Sequence, residues 1–184
     1  MEILTNSRKY LKELKELYIE AFPKEERKTF TFIEQLKKEG KCIVHTFIEN
    51  ENFVGLAIVL SDEKYALIDY LAVSPKVRSL GIGSKILNEL KKRYKGKCLF
   101  LERETILKNC ENPEQRKRRR DFYLRNEFSN SEVYVNVYSV EMTLMTYQNN
   151  ITFEEYSQFL KKTLGEKIFN KIKVQTSVFS DENI

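Results

Sequence analysis

The chain has 184 residues, 41% hydrophobic and 32% charged, with six Gly and three Pro. That composition excludes collagen-like, low-complexity and disordered classes, and no apolar run approaches the roughly 18 residues of a membrane span. Thirty-two Lys and Arg against 27 Asp and Glu leave a net charge of +5, which suits an anionic small ligand as well as nucleic acid and does not choose between them.

The opening Met1–Thr5 lacks a basic region followed by an apolar core, so no secretory leader is expected. Tyr10, Leu11, Leu14, Leu17, Tyr18 and Ala21 recur at helical spacing and predict a helix over about Ser7–Ala21, ended by Pro23. Thr31 followed by Glu34 reads as the capping box of a second short helix that stops at Gly40. The period then changes to two. Lys41–Glu49 and Phe53–Leu60 read as a hairpin turning at Asn50–Asn52, and Tyr65–Val73 as a third strand. After the loop Ser74–Gly83 comes a helix with Ile82, Ile86, Leu87, Leu90 and Tyr94 on one side, then a short strand, Cys98–Glu102. Pro113 opens a helix running to about Asn126. Val133–Tyr138 and Val140–Tyr147 are two more strands, and Thr152 with Glu155 starts a last helix that Gly165 interrupts. Its Phe153, Tyr156, Phe159, Leu160 and Leu164 would pack on the sheet or on a second subunit, making a homodimer an expectation to test. Gln175–Ile184 should fray. At roughly 150 residues per domain the length argues for one core, and mixed strands and helices in this order argue for one mixed sheet with helices on both faces.

Three well-separated cysteines (Cys42, Cys98, Cys110), no C-x-x-C and a single histidine, His45, argue against a zinc site. They fit reduced thiols in a cytoplasmic protein. His45 alternates with Ile43 and Phe47 on a strand and reads as structural. Cys110 has no basic partner at a useful spacing, so it is not read as a nucleophile.

The chemistry concentrates in Leu71-Ala72-Val73-Ser74-Pro75-Lys76-Val77-Arg78-Ser79-Leu80-Gly81-Ile82-Gly83-Ser84. An apolar strand runs into Arg-x-x-Gly-x-Gly and then into a helix. Glycines let a ligand approach the backbone, the first-turn N–H groups point at it, and Arg78 adds a planar cationic fork, so an anion is expected. A dinucleotide fingerprint would need glycine where Ile86 stands, and a P-loop would need Gly-x-x-x-x-Gly-Lys, which is absent.

Arg78–Leu87 resembles the acetyl-CoA signature of the GNAT acetyltransferase superfamily. Arg119-Arg120-Asp121-Phe122-Tyr123-Leu124-Arg125-Asn126-Glu127-Phe128 resembles that family's later motif, with Glu127 where the family usually has glycine. The resemblance covers about residues 5–147. It implies a GNAT-like α/β (α+β) fold, with one mixed, mostly antiparallel sheet, a splayed parallel central pair and helices on both faces. The domain would be residues 1–147, with a C-terminal helical extension, 148–184, packed on it.

The resemblance also implies that the Leu71, Ala72 and Val73 strand end pairs with the pantetheine arm of acetyl-CoA. Arg78, Ser79, Leu80, Gly81, Ile82, Gly83 and Ser84 would wrap its pyrophosphate. The thioester would sit where the Cys98–Glu102 strand splays from the Tyr65–Val73 strand, and an N–H near Val73 would hold the oxyanion. Tyr123 is the candidate general acid. Glu102 and Glu104, two apart at a strand end, are candidate proton acceptors for the attacking amine, with Asp69 on the neighbouring strand. No metal is expected.

The function implied is N-acetylation of a primary amine, on a small molecule or a peptide, by direct attack in a ternary complex. The alternative is a non-catalytic acyl-CoA-binding module that senses the cofactor. The basic run Arg116–Arg120 would circle its helix, some side chains contacting cofactor phosphates, others pairing with Glu111 and Glu114 or facing water, so nucleic acid is not the expected partner. The segment Ala21–Arg27 would border the acceptor pocket.

Overall fold

A computed structural model describes residues 1–137, 139–179 and 181. The chain divides into two compact units, one of residues 1–61 and 67–95 and the other of residues 62–66 and 96–184. The residues beyond the expected core, 148–184, thus fall in the second unit with the strands before them.

In the first unit the strands are β1 (Glu2–Thr5), β2 (Cys42–Glu49), β3 (Asn52–Ser61) and most of β4 (Tyr65–Val73), adjacent in that order. The helices are α1 (Leu11–Ala21), α2 (Phe30–Lys38) and α3 (Ile82–Arg93). The β2–β3 hairpin turns at Asn50 and Glu51, with φ of 50° and 62°, as a two-residue turn matched to strand twist requires. Strand β1 has only four residues, too few to show an alternating pattern. It pairs antiparallel with β2, and the chain turns away at Asn6, whose side-chain oxygen accepts from Val44 N–H. That turn delays α1 to Leu11, four residues later than its periodicity suggests. Helix α1 packs on β3 and α2 on β2. The cap of α2 is Thr29, whose hydroxyl accepts from Phe32 N–H at 3.2 Å, not Thr31. Phe30 sits against Tyr18, ring centroids 5.3 Å apart, so the helix starts early enough to include it, and Glu34 pairs with Lys37 instead.

In the second unit, β5 (Cys98–Glu104), β7 (Val140–Tyr147), β6 (Ser129–Val137) and β8 (Gln175–Thr176) lie side by side in that order, each pair antiparallel. Three helices complete it, α4 (Pro113–Arg125), α5 (Phe153–Leu164) and α6 (Glu166–Ile172). Strand β6 begins four residues earlier than the alternation suggests. Its register slips between Asn130 and Tyr134, where Glu132 takes a φ of 63° and Ser131 Oγ donates to the Leu144 carbonyl. The capping box of α5 forms as expected, and Gly165 divides α5 from α6. Phe159 of α5 lies edge-on to Tyr65 and Phe100 at 6.0 and 5.5 Å, so the apolar face of this helix is covered within its own unit.

The expectation of a frayed end holds for neither Gln175–Thr176, paired with β6, nor Asp181. The Asp181 carboxylate takes both terminal nitrogens of the buried Arg103 and the Ile106 N–H. Residues 180 and 182–184, and Tyr138 at the expected end of β6, lie outside the described residues. Among the described residues no helix is long and apolar enough to cross a membrane.

His45 is fully buried in the first unit. Its Nε2 is 2.8 Å from the Tyr94 hydroxyl, and burial, with Arg93 nearby, pushes its pKa down to about 4. A histidine held neutral in the fold and protonated when unfolded lowers stability as pH falls from about 6.5 toward 4, by at most about 1.4 kcal/mol per pH unit. Denaturant unfolding at pH 6.5 and pH 5, a window above the ordinary carboxylate range, should show this loss. A His45→Gln chain should show a flatter dependence.

Candidate functional site

The site is built where β4 runs into α3. Pro75–Val77 forms a single 3-10 turn after β4. Ser79 and Gly81 then take φ of 65° and 72°, and Gly81 is the N-cap of α3. Only Lys85 N–H reaches back to the Gly81 carbonyl, at 3.1 Å. Among the described residues the amides of Ser79 through Ser84 have no backbone acceptor. Alternating left- and right-handed backbone at a helix head gathers N–H groups on one concave surface, with the positive end of the helix dipole behind them. Nothing lies within 4 Å of where a Gly81 Cβ would stand, so its glycine answers to φ and not to crowding. Gly55 on β3 is the reverse case. A Cβ there would lie 2.7 Å from the Ala72 carbonyl and 2.8 Å from Ile86 Cδ1. Ile86, the residue that spoils a dinucleotide fingerprint, is thus seated against a strand glycine.

Arg78 is exposed and makes no ion pair among the described residues. Its Nε donates to the Val73 carbonyl at 3.4 Å. The strand end shows the expected alternation, with Leu71 and Val73 half-buried and Ala72 buried. Leu80 is 66% exposed, so the tip of the loop is open. A diphosphate suits this turn: six amides without a backbone acceptor among the described residues, one exposed cation, and open space where a Gly81 Cβ would stand.

The residues expected to move protons lie in the second unit. Glu102 and Glu104 share one face of β5, as their spacing requires, with Arg103 buried between them. Glu102 accepts from the Tyr156 hydroxyl at 2.7 Å. Glu104 meets Arg116 at 2.8 Å and Arg119 at 3.5 Å. Glu104 is thus an acidic partner of Arg116 and Arg119, and Asp121 is one of Arg120. Glu114 meets the run through its carbonyl, which accepts from Arg118, and among the described residues no ion pair joins Glu111, expected to pair with the run, to it. Asp69 belongs to the first unit, where its Oδ1 holds Lys28 at 2.8 Å.

Tyr123 stands on the last turn of α4. Among the described residues its hydroxyl has no hydrogen-bond partner. Burial raises its pKa, and Arg119 pulls it back. The helix ends in a full Schellman motif: Phe128 N–H bonds the Tyr123 carbonyl at 3.1 Å and Glu127 N–H the Leu124 carbonyl at 3.0 Å. The residue in the left-handed position is Glu127, φ 64°, while Asn126 stays at −99°. Glu127 therefore does what the usual glycine does, and the turn keeps the Phe128 ring 6.0 Å from that of Tyr123. Sequence reasoning missed Arg103, since nothing local marks an arginine on an alternating strand as the buried member. Cys42 and Cys98 are buried thiols with pKa raised to about 12 and about 11 by desolvation, as inert cysteines should be.

The chain matches the family described as "Acetyltransferase (GNAT) family" over residues 10–128. It is 33% identical over 113 residues to YjbC of Bacillus subtilis (strain 168), a stretch covering 61% of this chain and 55% of that protein. The match thus spans about half the length of the curated relative. A solved GNAT-family structure from Bacteroides thetaiotaomicron superposes with a TM-score of 0.75 at 20% identity, covering 90% of this chain and 99% of that one. A GNAT family acetyltransferase from Elizabethkingia anophelis, solved with acetyl-CoA bound, gives 0.58 at 15% identity, covering 80% and 97%.

A left-handed glutamate costs about 1–2 kcal/mol relative to glycine. Glu127→Gly should therefore raise the thermal midpoint by about 2–4 °C for each kcal/mol recovered. Scanning calorimetry of the two chains reads this directly, and an unchanged or lower midpoint would show that glutamate pays no strain there.

Proposed function

Because the chain belongs to the acetyltransferase (GNAT) family, we propose that the protein transfers an acetyl group from acetyl-CoA to a primary amine of a small molecule or peptide. The observation that carries this reading is the cradle of unpartnered amides at Ser79–Ser84 beside Arg78. The pyrophosphate of the cofactor would rest there, and the Leu71, Ala72 and Val73 backbone would receive the pantetheine arm. Bound acetyl-CoA supplies the activated carbonyl. The chain's own residues supply position and proton transfer.

The amine attacks directly, without an acyl-enzyme, and that step asks for a base and an acid. Tyr123 is the proposed acid. Its raised pKa keeps it protonated at neutral pH, the state a donor needs. Glu102 and Glu104 are the proposed proton acceptors. Glu102 accepts from the Tyr156 hydroxyl, and Glu104 meets the guanidinium groups of Arg116 and Arg119. The reading of a cofactor-sensing module without catalysis shares the cradle but has no use for these three side chains, and that difference separates the two.

Calorimetry with coenzyme A should show binding. Gly81→Val, forced into a left-handed conformation that costs about 1–2 kcal/mol, should weaken it by roughly tenfold. A panel of primary amines with acetyl-CoA, followed by thiol release, should find an acceptor. With that acceptor Tyr123→Phe should lower kcat by about 100-fold and leave coenzyme A affinity unchanged. Binding without turnover on any amine would favour the sensing module, and no heat at all would remove the acetyl-CoA reading.

A further inference from the structure

We propose that Lys28 is an internal acetyl acceptor, modified at Nζ by the chain's own acetyl-CoA, with Asp69 taking the proton; this rests on the cofactor reading above. All the residues concerned lie in the first unit. Lys28 is held at its backbone by two buried phenols: Tyr18 OH donates to its carbonyl at 3.1 Å, and its N–H donates to Tyr70 OH at 3.0 Å. Tyr70 OH in turn donates to the Glu26 carbonyl at 2.6 Å. This clamp directs the side chain inward. Nζ lies 2.8 Å from Asp69 Oδ1 and 5.2 Å from the centre of the Tyr70 ring.

An ordinary surface salt bridge would not be built so. Side-chain exposure is only 21% for Lys28 and 11% for Asp69, and Asp69 Oδ2 is buried without a partner. A buried carboxylate oxygen left without a donor is costly, and one beside a lysine can accept its proton. Asp69 also shares a strand face with Leu71 and Val73, the half-buried positions of β4. Two residues along a strand span roughly 7 Å, so the carboxylate that holds Nζ stands about that far from Leu71, the nearest of the three residues proposed to receive the pantetheine arm.

The step balances without any further reagent. The ammonium gives one proton to Asp69, the neutral nitrogen attacks the thioester carbonyl, the C–N bond forms and the C–S bond breaks. The nitrogen's second proton goes to the departing thiolate. The products are acetyl-lysine, coenzyme A thiol and one proton, which Asp69 returns to water. Acetylated Lys28 no longer neutralises Asp69, so the modification leaves a carboxylate newly available beside the strand end.

The test is a time course of the full chain with acetyl-CoA, mapped by peptide mass spectrometry, with coenzyme A binding measured separately by calorimetry. Uncatalysed acetylation favours exposed amines, and Lys64 and Lys92 are 67% and 71% exposed. We expect Lys28 to be labelled ahead of both, and Asp69→Asn to slow its labelling by about 100-fold. Lys28→Arg keeps a cation against Asp69 and should lose the label while retaining the binding heat, which guards against a variant that simply fails to fold. Binding heat with Lys64 and Lys92 labelled as fast as Lys28 overturns this proposal and leaves the cofactor reading standing. Absence of binding heat overturns both.

Discussion

Six consecutive backbone amides, Ser79 to Ser84, that have no backbone acceptor among the described residues are the constraint from which the site follows. Backbone donors are obligatory hydrogen-bonding groups, so a run of them facing outward is stable only against water or an anion. The two left-handed residues, Ser79 and Gly81, create the run by turning the chain before α3 can pair these groups internally. The shape is not a property of the loop alone. The strand before it and the helix after it are both located by Gly55, against which the Ala72 carbonyl and Ile86 close to distances no other residue would permit. A packing requirement one strand away therefore sets the two ends between which the cradle hangs.

What could be read in the sequence was what is local. The strands β2, β3 and β4, the apolar stripe of α3, the Thr152–Glu155 cap and the break at Gly165 were read from spacings of two to four residues, and all are present, although β2 and β3 are buried almost throughout and do not alternate. The glycine loop was legible for the same reason, since its meaning lies in glycines two apart at a strand–helix junction. What escaped depends on partners far along the chain. Strand β1 exists because β2 offers an edge. The start of α2 moves because Phe30 has a ring to meet on Tyr18. Arg103 is buried because Asp181, 78 residues later, arrives to share it with Asn130 and the Glu104 carbonyl. No window of sequence contains such pairs.

The basic run of α4 shows how a charge count can mislead. Five cations in succession suggest a surface for polyanions, yet Arg116 and Arg119 are turned onto Glu104, Arg118 onto a carbonyl of its own helix and Arg120 onto Asp121. Partly exposed pairs of this kind add little stability. They do direct side chains: Arg116 and Arg119 tie α4 to Glu104 of β5, while Arg118 and Arg119 stay exposed to solvent.

The state of Tyr123 follows from the same accounting of burial. Desolvation disfavours the phenolate, and Arg119 recovers only part of that. Taken alone, this makes Tyr123 a weaker acid than a tyrosine in water, where a phenol already sits roughly 1.5 units above a thiol. The comparison changes when the thiol is desolvated as well. Burial in this chain lifts Cys42 to about 12 and Cys98 to about 11, above an ordinary tyrosine. On the proposed reading, a thiolate leaving in surroundings as dry as those of these cysteines would also be a stronger base than one in water, so burial would raise both partners. On the proposed reading of Tyr123 as the acid, the charge of Arg119, which works against the effect of burial, favours release of its proton.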